Sequence, residues 1–265
     1  MEPVLTWQSA EIRYGGNSAV RGVSFSVRPG EILGIAGESG SGKSSLLKAA
    51  MGLLGPDGAV TGGKILFHGK NLPELPEAEL RKIRGAGIGM VFQDAGASFC
   101  PVRTVGAQIY ESLAAHRKIT KKEAREKALA LFEKLHLPDG PRIWDSCPFA
   151  LSGGMNQRVG IAAAMLQEPE VLLADEPTGA LDAAVRKQVI GEILRLREQY
   201  GTAVVLVTHD MGVVSAAADT VLVLKDGRAA EYGPATKVLR EPENPFTRRL
   251  LEAVPRLRRE GEQPC

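Results

Sequence analysis

Gly37-Glu38-Ser39-Gly40-Ser41-Gly42-Lys43-Ser44 fits the pattern G-x-x-x-x-G-K-S/T in full. It stands between an apolar run, Ile32-Leu33-Gly34-Ile35-Ala36, and a helical one, Ser45-Leu46-Leu47-Lys48-Ala49-Ala50. Strand, glycine-rich turn and helix N-terminus in that order make an anion site. The glycines let backbone N–H groups turn inward, and the helix end adds partial positive charge. The candidate nucleotide-binding set is therefore Gly37, Ser39, Gly40, Ser41, Gly42, Lys43, Ser44 and Ser45. In such a loop Lys43 reaches the β- and γ-phosphates, Ser44 ligates Mg²⁺ and Ser45 donates to the α-phosphate. A glycine-rich turn with an incidental lysine is the alternative, and the strand before and helix after argue against it.

Strand-like runs alternate with helical periodicity through most of the chain, which predicts an α/β architecture with a mainly parallel sheet. The clearest strands are Ile32–Ala36, Val171–Ala174, Ala203–Val207 and Val221–Leu224. Val171-Leu172-Leu173-Ala174 and Val204-Val205-Leu206-Val207 are continuous rather than alternating, as for strands buried on both faces, so they read as the sheet centre. Lys64-Ile65-Leu66-Phe67 before His68-Gly69-Lys70 has a hairpin pattern and predicts a small antiparallel layer. From Ser98 to Met165 the chain turns helical: Thr120-Lys121-Lys122-Glu123 is a capping box, with Ala124, Ala128, Leu131 and Leu135 on one apolar face. A second amphipathic helix is expected over Val185–Tyr200, with Val185, Val189, Ile193 and Leu196 inward. Beyond Gly233 the chain is Pro-rich and charged, ending in Arg256-Leu257-Arg258-Arg259-Glu260, where a short helix and a loose tail are expected.

Further polar residues sit where ligands bind in open α/β sheets, at strand C-terminal ends. Val171–Ala174 runs into Asp175-Glu176. Asp175 suits Mg²⁺, and Glu176 suits a general base or a group orienting the attacking water. Val207-Thr208-His209-Asp210 ends another buried strand, which puts His209 at the γ-phosphate. Val91-Phe92-Gln93 closes a third, which lets Gln93 reach Mg²⁺ or the water.

Leu151-Ser152-Gly153-Gly154-Met155-Asn156-Gln157-Arg158 resembles the signature sequence of ATP-binding cassette proteins, and the order of motifs fits that family from residue 4 to about 235. Ser152, Gly153 and Gly154 at a helix N-terminus form an anion site with no bulk in the way. The resemblance implies a P-loop NTPase (RecA-like) core with an antiparallel β layer, over residues 1–95 and 166–235. It also implies an inserted helical subdomain over 96–165 and a C-terminal extension over 236–265. In the family the signature binds the γ-phosphate held by the opposite subunit. Tyr14, ahead of Gly15-Gly16, looks like the aromatic that stacks on adenine, and Gln157 continues the signature as a further nucleotide-binding candidate. Gly179-Ala180-Leu181-Asp182 resembles the loop crossing the dimer interface, which carries over Asp182. Ser commonly stands in place of Gly179, so that hydroxyl is missing here.

Within the family, three features are similar to the peptide and nickel importer branch: Met155 in Ser-Gly-Gly-Met; Pro101-Val102-Arg103-Thr104-Val105-Gly106, although Cys100 stands where Asn is frequent; and Asn244-Pro245-Phe246-Thr247-Arg248-Arg249-Leu250-Leu251-Glu252-Ala253-Val254-Pro255. Some relatives continue into a cysteine cluster for an iron–sulfur centre; Cys265 is the single cysteine of this tail, and no cluster is expected. The implied protein is an ATP- and Mg²⁺-dependent ATPase subunit that powers import of a peptide, nickel ion or metal chelate. Its partners would be two membrane-spanning permease subunits, a second, non-identical ATPase subunit in a head-to-tail dimer and, indirectly, an extracytoplasmic solute-binding protein. Its place would be the cytoplasmic face of the membrane.

Composition constrains the alternatives. The chain's 265 residues are ample for a buried core, which excludes a disulfide-stapled mini-protein. Lys plus Arg number 33 against 31 for Asp plus Glu, too balanced to point to nucleic acid or an anionic membrane. Aromatic residues at 5% argue against a stacking platform for single strands. Three scattered cysteines suit a reducing compartment, and no apolar run approaches the roughly 20 residues of a membrane span. The competing class is a soluble cassette ATPase acting on DNA or ribosomes. Lys43 and Ser152 are too close in sequence to enclose the long coiled coil of DNA-acting relatives, and ribosome-acting relatives usually carry two cassettes.

Overall fold

The computed structural model describes residues 2–179 and 181–253, and of Leu196 the backbone alone. Ala180, the inward placement of Leu196, Val254-Pro255, the helix and tail over Arg256–Glu260, and Cys265 lie outside the described residues. The elements are β1 (Leu5–Tyr14), β2 (Asn17–Val27), β3 (Ile32–Gly37), α1 (Lys43–Ala50), β4 (Gly58–Phe67), β5 (Lys70–Asn71), α2 (Glu77–Ile83) and β6 (Ile88–Val91). Then come α3 (Ala95–Ser98), α4 (Val105–Ala114), α5 (Lys121–Lys134), α6 (Gly140–Asp145), α7 (Gly153–Met165), β7 (Val171–Asp175) and α8 (Ala183–Tyr200). The chain continues with β8 (Ala203–Val207), α9 (Met211–Ala217), β9 (Thr220–Lys225), β10 (Arg228–Pro234), α10 (Ala235–Arg240) and α11 (Pro245–Glu252).

Two sheets form, one of four strands in the order β2-β1-β4-β5 and one of six in the order β10-β9-β3-β8-β7-β6. The first is antiparallel throughout; in the second only β10 runs against its neighbour. β4 and β5 pair Phe67 with Lys70 across a turn in which His68 (φ 47°) and Gly69 (φ 77°) are both left-handed, the geometry of a two-residue hairpin turn. β3 and β8 share the centre of the larger sheet and β7 lies one place out. An unbroken apolar run reports cover on both faces, which β7 has, and carries no information on order.

That cover divides each strand by alternation. Val171, Leu173, Val205 and Val207 pack with α1 and the antiparallel sheet, whereas Leu172, Ala174, Val204 and Leu206 pack with the helical region and α8. Side chains of period two therefore reach two separate cores, and neither face can accept a charge. Thr120 and Glu123 close the capping box at the start of α5. Ala124, Ala128 and Leu135 are buried with Phe132, while Leu131 is half-buried.

Between Pro234 and Ala253 the chain is more ordered than its composition suggests. α10 and α11 supply Ala235, Val238 and Phe246 to a third core with Ala36, Met211, Val214, Val221 and Val223. Asn244 caps α11 by accepting from Phe246 N at 2.8 Å and donates to Ala230 O at 2.9 Å. Glu231 accepts from the N–H groups of Glu243 and Asn244. A cap, a proline in the first turn and one buried aromatic thus dock a short helix that its charge alone would leave loose.

Candidate functional site

The C-terminal ends of β3, β6, β7 and β8 share one edge of the larger sheet, since all four run parallel and in register. Gly37, Gln93, Asp175-Glu176 and His209 follow those ends. Gly37 begins the loop that Gly42 hands to α1, and both take positive φ, 152° and 100°. A Cβ at Gly37 would lie 2.2 Å from Leu224 O, and one at Gly42 2.5 Å from Ala19 O. Backbone curvature and close neighbours both demand glycine here.

Within this loop the Lys43 ammonium donates to Gly37 O (2.8 Å) and Glu38 O (2.7 Å). Burial holds it below its usual range, against the raising influence of Glu176, Asp175 and Glu38. Ser44 Oγ donates to Asp175 Oδ1 at 2.9 Å. Burial pushes the Asp175 carboxyl up; the Ser44 hydrogen bond and the charges of Lys48 and Lys43 oppose this, and Glu176 adds to it. Ser41 Oγ is buried without a hydrogen-bond partner. Tyr14 Oη lies 3.3 Å from Ser45 Oγ, which brings the candidate adenine platform to the first turn of α1, next to the loop.

These residues fit an anionic ligand with a hard cation. A buried ammonium resting on two carbonyls can exchange them for phosphate oxygens, and Ser41 leaves a hydroxyl to be satisfied. Ser44 and Asp175 offer adjacent oxygen donors, the kind Mg²⁺ selects. Among the described residues no three His, Cys, Asp or Glu side chains gather as a metal cage. A cation at Ser44 and Asp175 would therefore take its other ligands from phosphate and water.

Glu176 follows Asp175 with φ 45°, a left-handed conformation uncommon outside glycine, and it is fixed by its own N–H on Val207 O (2.9 Å) and by Gly179 N on its carbonyl (3.2 Å). The turn aims its carboxylate at His209, Oε2 to Nδ1 2.9 Å. Gln93 is exposed one residue beyond Phe92 on the adjacent strand end. A Cβ at Gly179 would stand 3.5 Å from Glu176 Oε2, an ordinary contact, so this backbone has room for the Cβ of a serine.

The signature segment lies apart from the phosphate loop. Ser152 caps α7, accepting from Met155 N at 3.3 Å, with Gly153 exposed behind it. Among the described residues no hydrogen bond joins Ser152, Gly153 or Gly154 to residues 37–45. Gly154 neighbours Leu181, and Asp182 caps α8 through Val185 N at 3.0 Å.

Gln157 differs from the sequence expectation of a nucleotide-binding side chain. It is 3% exposed, its amide nitrogen donates to Pro177 O (3.1 Å) and Phe92 O (3.4 Å), and its amide oxygen accepts from Ala95 N (3.4 Å). Every polar atom is engaged by backbone, so Gln157 positions the loops after β6 and β7 against α7. Helical phase carries the clue, because Gln157 shares a face with buried Ile161 and Met165, where a polar residue needs partners. Arg158 is a second residue whose role sequence missed: it donates to Gly154 O (3.2 Å) and Leu135 O (3.3 Å), fastening α7 to the end of α5.

Comparison with known proteins bears on this arrangement. A family model described as ABC transporter matches residues 20–179. The dipeptide transport ATP-binding protein DppD of Bacillus subtilis is 43% identical over 99% of this chain and 80% of its own length. The oligopeptide transport ATP-binding protein OppD of Escherichia coli is 44% identical over 94% and 73%. Among solved structures, an ATP-binding cassette dimer in a post-hydrolysis state with ADP and Pi superimposes with a TM-score of 0.78, 30% identity, and coverage of 87% of this chain and 98% of that one. A component of an ABC transporter complex from Clostridium perfringens gives 0.74 at 27% identity, covering 92% and 93%.

Proposed function

We propose, from the premise that the chain belongs to the ABC transporter family, that it is the ATP-hydrolysing subunit of a peptide importer. The observation carrying the ATPase reading is the meeting of Ser44 with Asp175, one residue before the Glu176–His209 pair. The peptide reading comes from the names of these relatives, one of which matches 99% of the chain and so takes in the C-terminal segment as well as the core.

In this reading the N–H groups between Gly37 and Gly42, with Ser39 and Ser41, wrap the phosphates, and Lys43 leaves its carbonyls for the β- and γ-oxygens. Ser45 donates to the α-phosphate and Tyr14 stacks on adenine. Ser44, Asp175 and Gln93 would hold Mg²⁺, which would neutralise phosphate charge. Glu176 takes a proton from the attacking water, whose oxygen bonds to the γ-phosphorus as the bond from phosphorus to the bridging oxygen breaks; ADP leaves with that electron pair. His209 holds the γ-phosphate and orients Glu176. Ser152, Gly153 and Gly154 cap the γ-phosphate of a second cassette in a head-to-tail dimer, and Asp182 crosses that interface.

No helix among the described residues is long and apolar enough to cross a membrane. In this reading passage of solute belongs to two permease subunits, fed by an extracytoplasmic binding protein, with this chain on the cytoplasmic face. The test is uptake of labelled peptides into vesicles carrying the permease pair and binding protein, with and without the chain. Uptake that needs the chain and ATP, and is lost with Lys43→Ala, supports the reading. ATP-dependent activity on DNA or ribosomes with no effect on uptake overturns it.

A further inference from the structure

Arg186 belongs to none of the motifs above. It is the fourth residue of α8, half-buried, and its guanidinium reaches Asp210 Oδ2 and, at 3.4 Å, Leu181 O. Asp210 follows His209 directly. Its other oxygen accepts from Gly212 N (2.8 Å) and Val213 N (3.3 Å), capping α9, while its own N–H donates to Thr208 Oγ1 (3.0 Å). The turn carrying His209 is thus gripped from both sides.

His209 itself has little else to hold it. Its side chain is 67% exposed, and its one hydrogen-bond partner among the described residues is Glu176. Packing does not fix the ring, so its place is set by the backbone of the turn. That backbone is tied by Asp210, and Asp210 is tied by Arg186 to Leu181, whose side chain lies beside Gly154 of the signature helix.

We propose that Arg186 is a positioning residue that keeps His209 in register with Glu176 by clamping the Asp210 turn to the Leu181 carbonyl beside the signature segment. This rests on the reading of Glu176 and His209 as hydrolytic groups. A guanidinium suits the task because its planar fork serves two acceptors at once, which a lysine ammonium on a flexible stem does less well.

The test compares Arg186→Met and Arg186→Lys in the full chain by steady-state ATP hydrolysis, ATP affinity and the histidine Cε1–H resonances. The four histidines make that spectrum assignable, with His209→Ala identifying its signal. The expected result for Arg186→Met is a kcat at least about tenfold lower, with KM and ATP affinity within about twofold. The His209 resonance moves while the other three stay, and Arg186→Lys recovers part of the rate. Parental kcat in Arg186→Met, an unmoved His209 resonance, or displacement of all four resonances with no recovery in Arg186→Lys would each overturn the proposal. If His209→Ala hydrolyses ATP at the parental rate, the reading of His209 as a hydrolytic group fails, and the resonance shift still decides whether Arg186 holds the turn.

Discussion

Ser44 Oγ, on the first turn of α1, donates across 2.9 Å to Asp175 Oδ1 at the end of β7, joining the phosphate loop after β3 to the acidic strand end two places along the sheet. The carboxylate is 2% exposed, and burial raises its folded-state pKa above the unfolded value. The proton therefore stabilises the fold fully below the unfolded pKa, and that contribution is lost as pH rises through the folded pKa.

Asp175→Asn removes the buried charge and leaves an acceptor for Ser44. At pH 7 without nucleotide the variant should melt above the parent by about 1–3 °C, with the gap closing toward pH 4. Mg²⁺-dependent hydrolysis should fall at least about 100-fold. Scanning calorimetry at the two pH values checks the first expectation; a parent that melts higher at pH 7 counts against it.

Lys43→Ala takes away the buried ammonium between Gly37 O and Glu38 O. Loss of the charge opposite the β- and γ-phosphates should lower hydrolysis by about 100-fold or more. A phosphate-release assay measures this directly, and wild-type turnover in the variant would remove the phosphate-loop assignment.

Gln157→Leu is expected to behave as a structural change. It orphans Ala95 N and the carbonyls of Phe92 and Pro177, at a cost of about 2–3 kcal/mol in urea unfolding. ATP affinity should stay within about twofold of the parent. Unchanged stability with collapsed affinity would return Gln157 to the nucleotide-binding set.

The C-terminal helix gives a prediction independent of the nucleotide. Phe246→Ala empties a position that is 6% exposed in the third core and should cost about 3–5 kcal/mol, against about 1 kcal/mol for loss of the Asn244 cap in Asn244→Ala. Chemical denaturation ranks the two; equal and negligible effects would mean that α11 is not docked as described.

The phosphate loop was legible because its chemistry is local. Eight consecutive residues carry the glycines, the lysine and the hydroxyl, and the flanking strand and helix follow from the adjoining runs. Continuous burial of β7 and β8 was legible for the same reason, while the central place of β3 was not, since strand order depends on pairing between distant segments. Gln157 and Arg186 escaped because their partners lie far along the chain: Gln157 meets Phe92 and Ala95, and Arg186 meets Asp210. The docking of α11 depended on Glu231 and Phe246 finding partners that composition alone does not reveal.

Glu176, held in a left-handed backbone and bonded to His209 at 2.9 Å, is the residue placed to take the proton from the attacking water. The most direct measurement is the fate of bound ATP in Glu176→Gln, followed by rapid quench and nucleotide analysis, with mass by light scattering on the same sample. ATP should bind with parental affinity, persist unhydrolysed at times when the parent has converted it to ADP, and be recovered in a closed cassette pair, either of two copies or with a second cassette added. ADP formation by Glu176→Gln at the parental rate would contradict this role for Glu176.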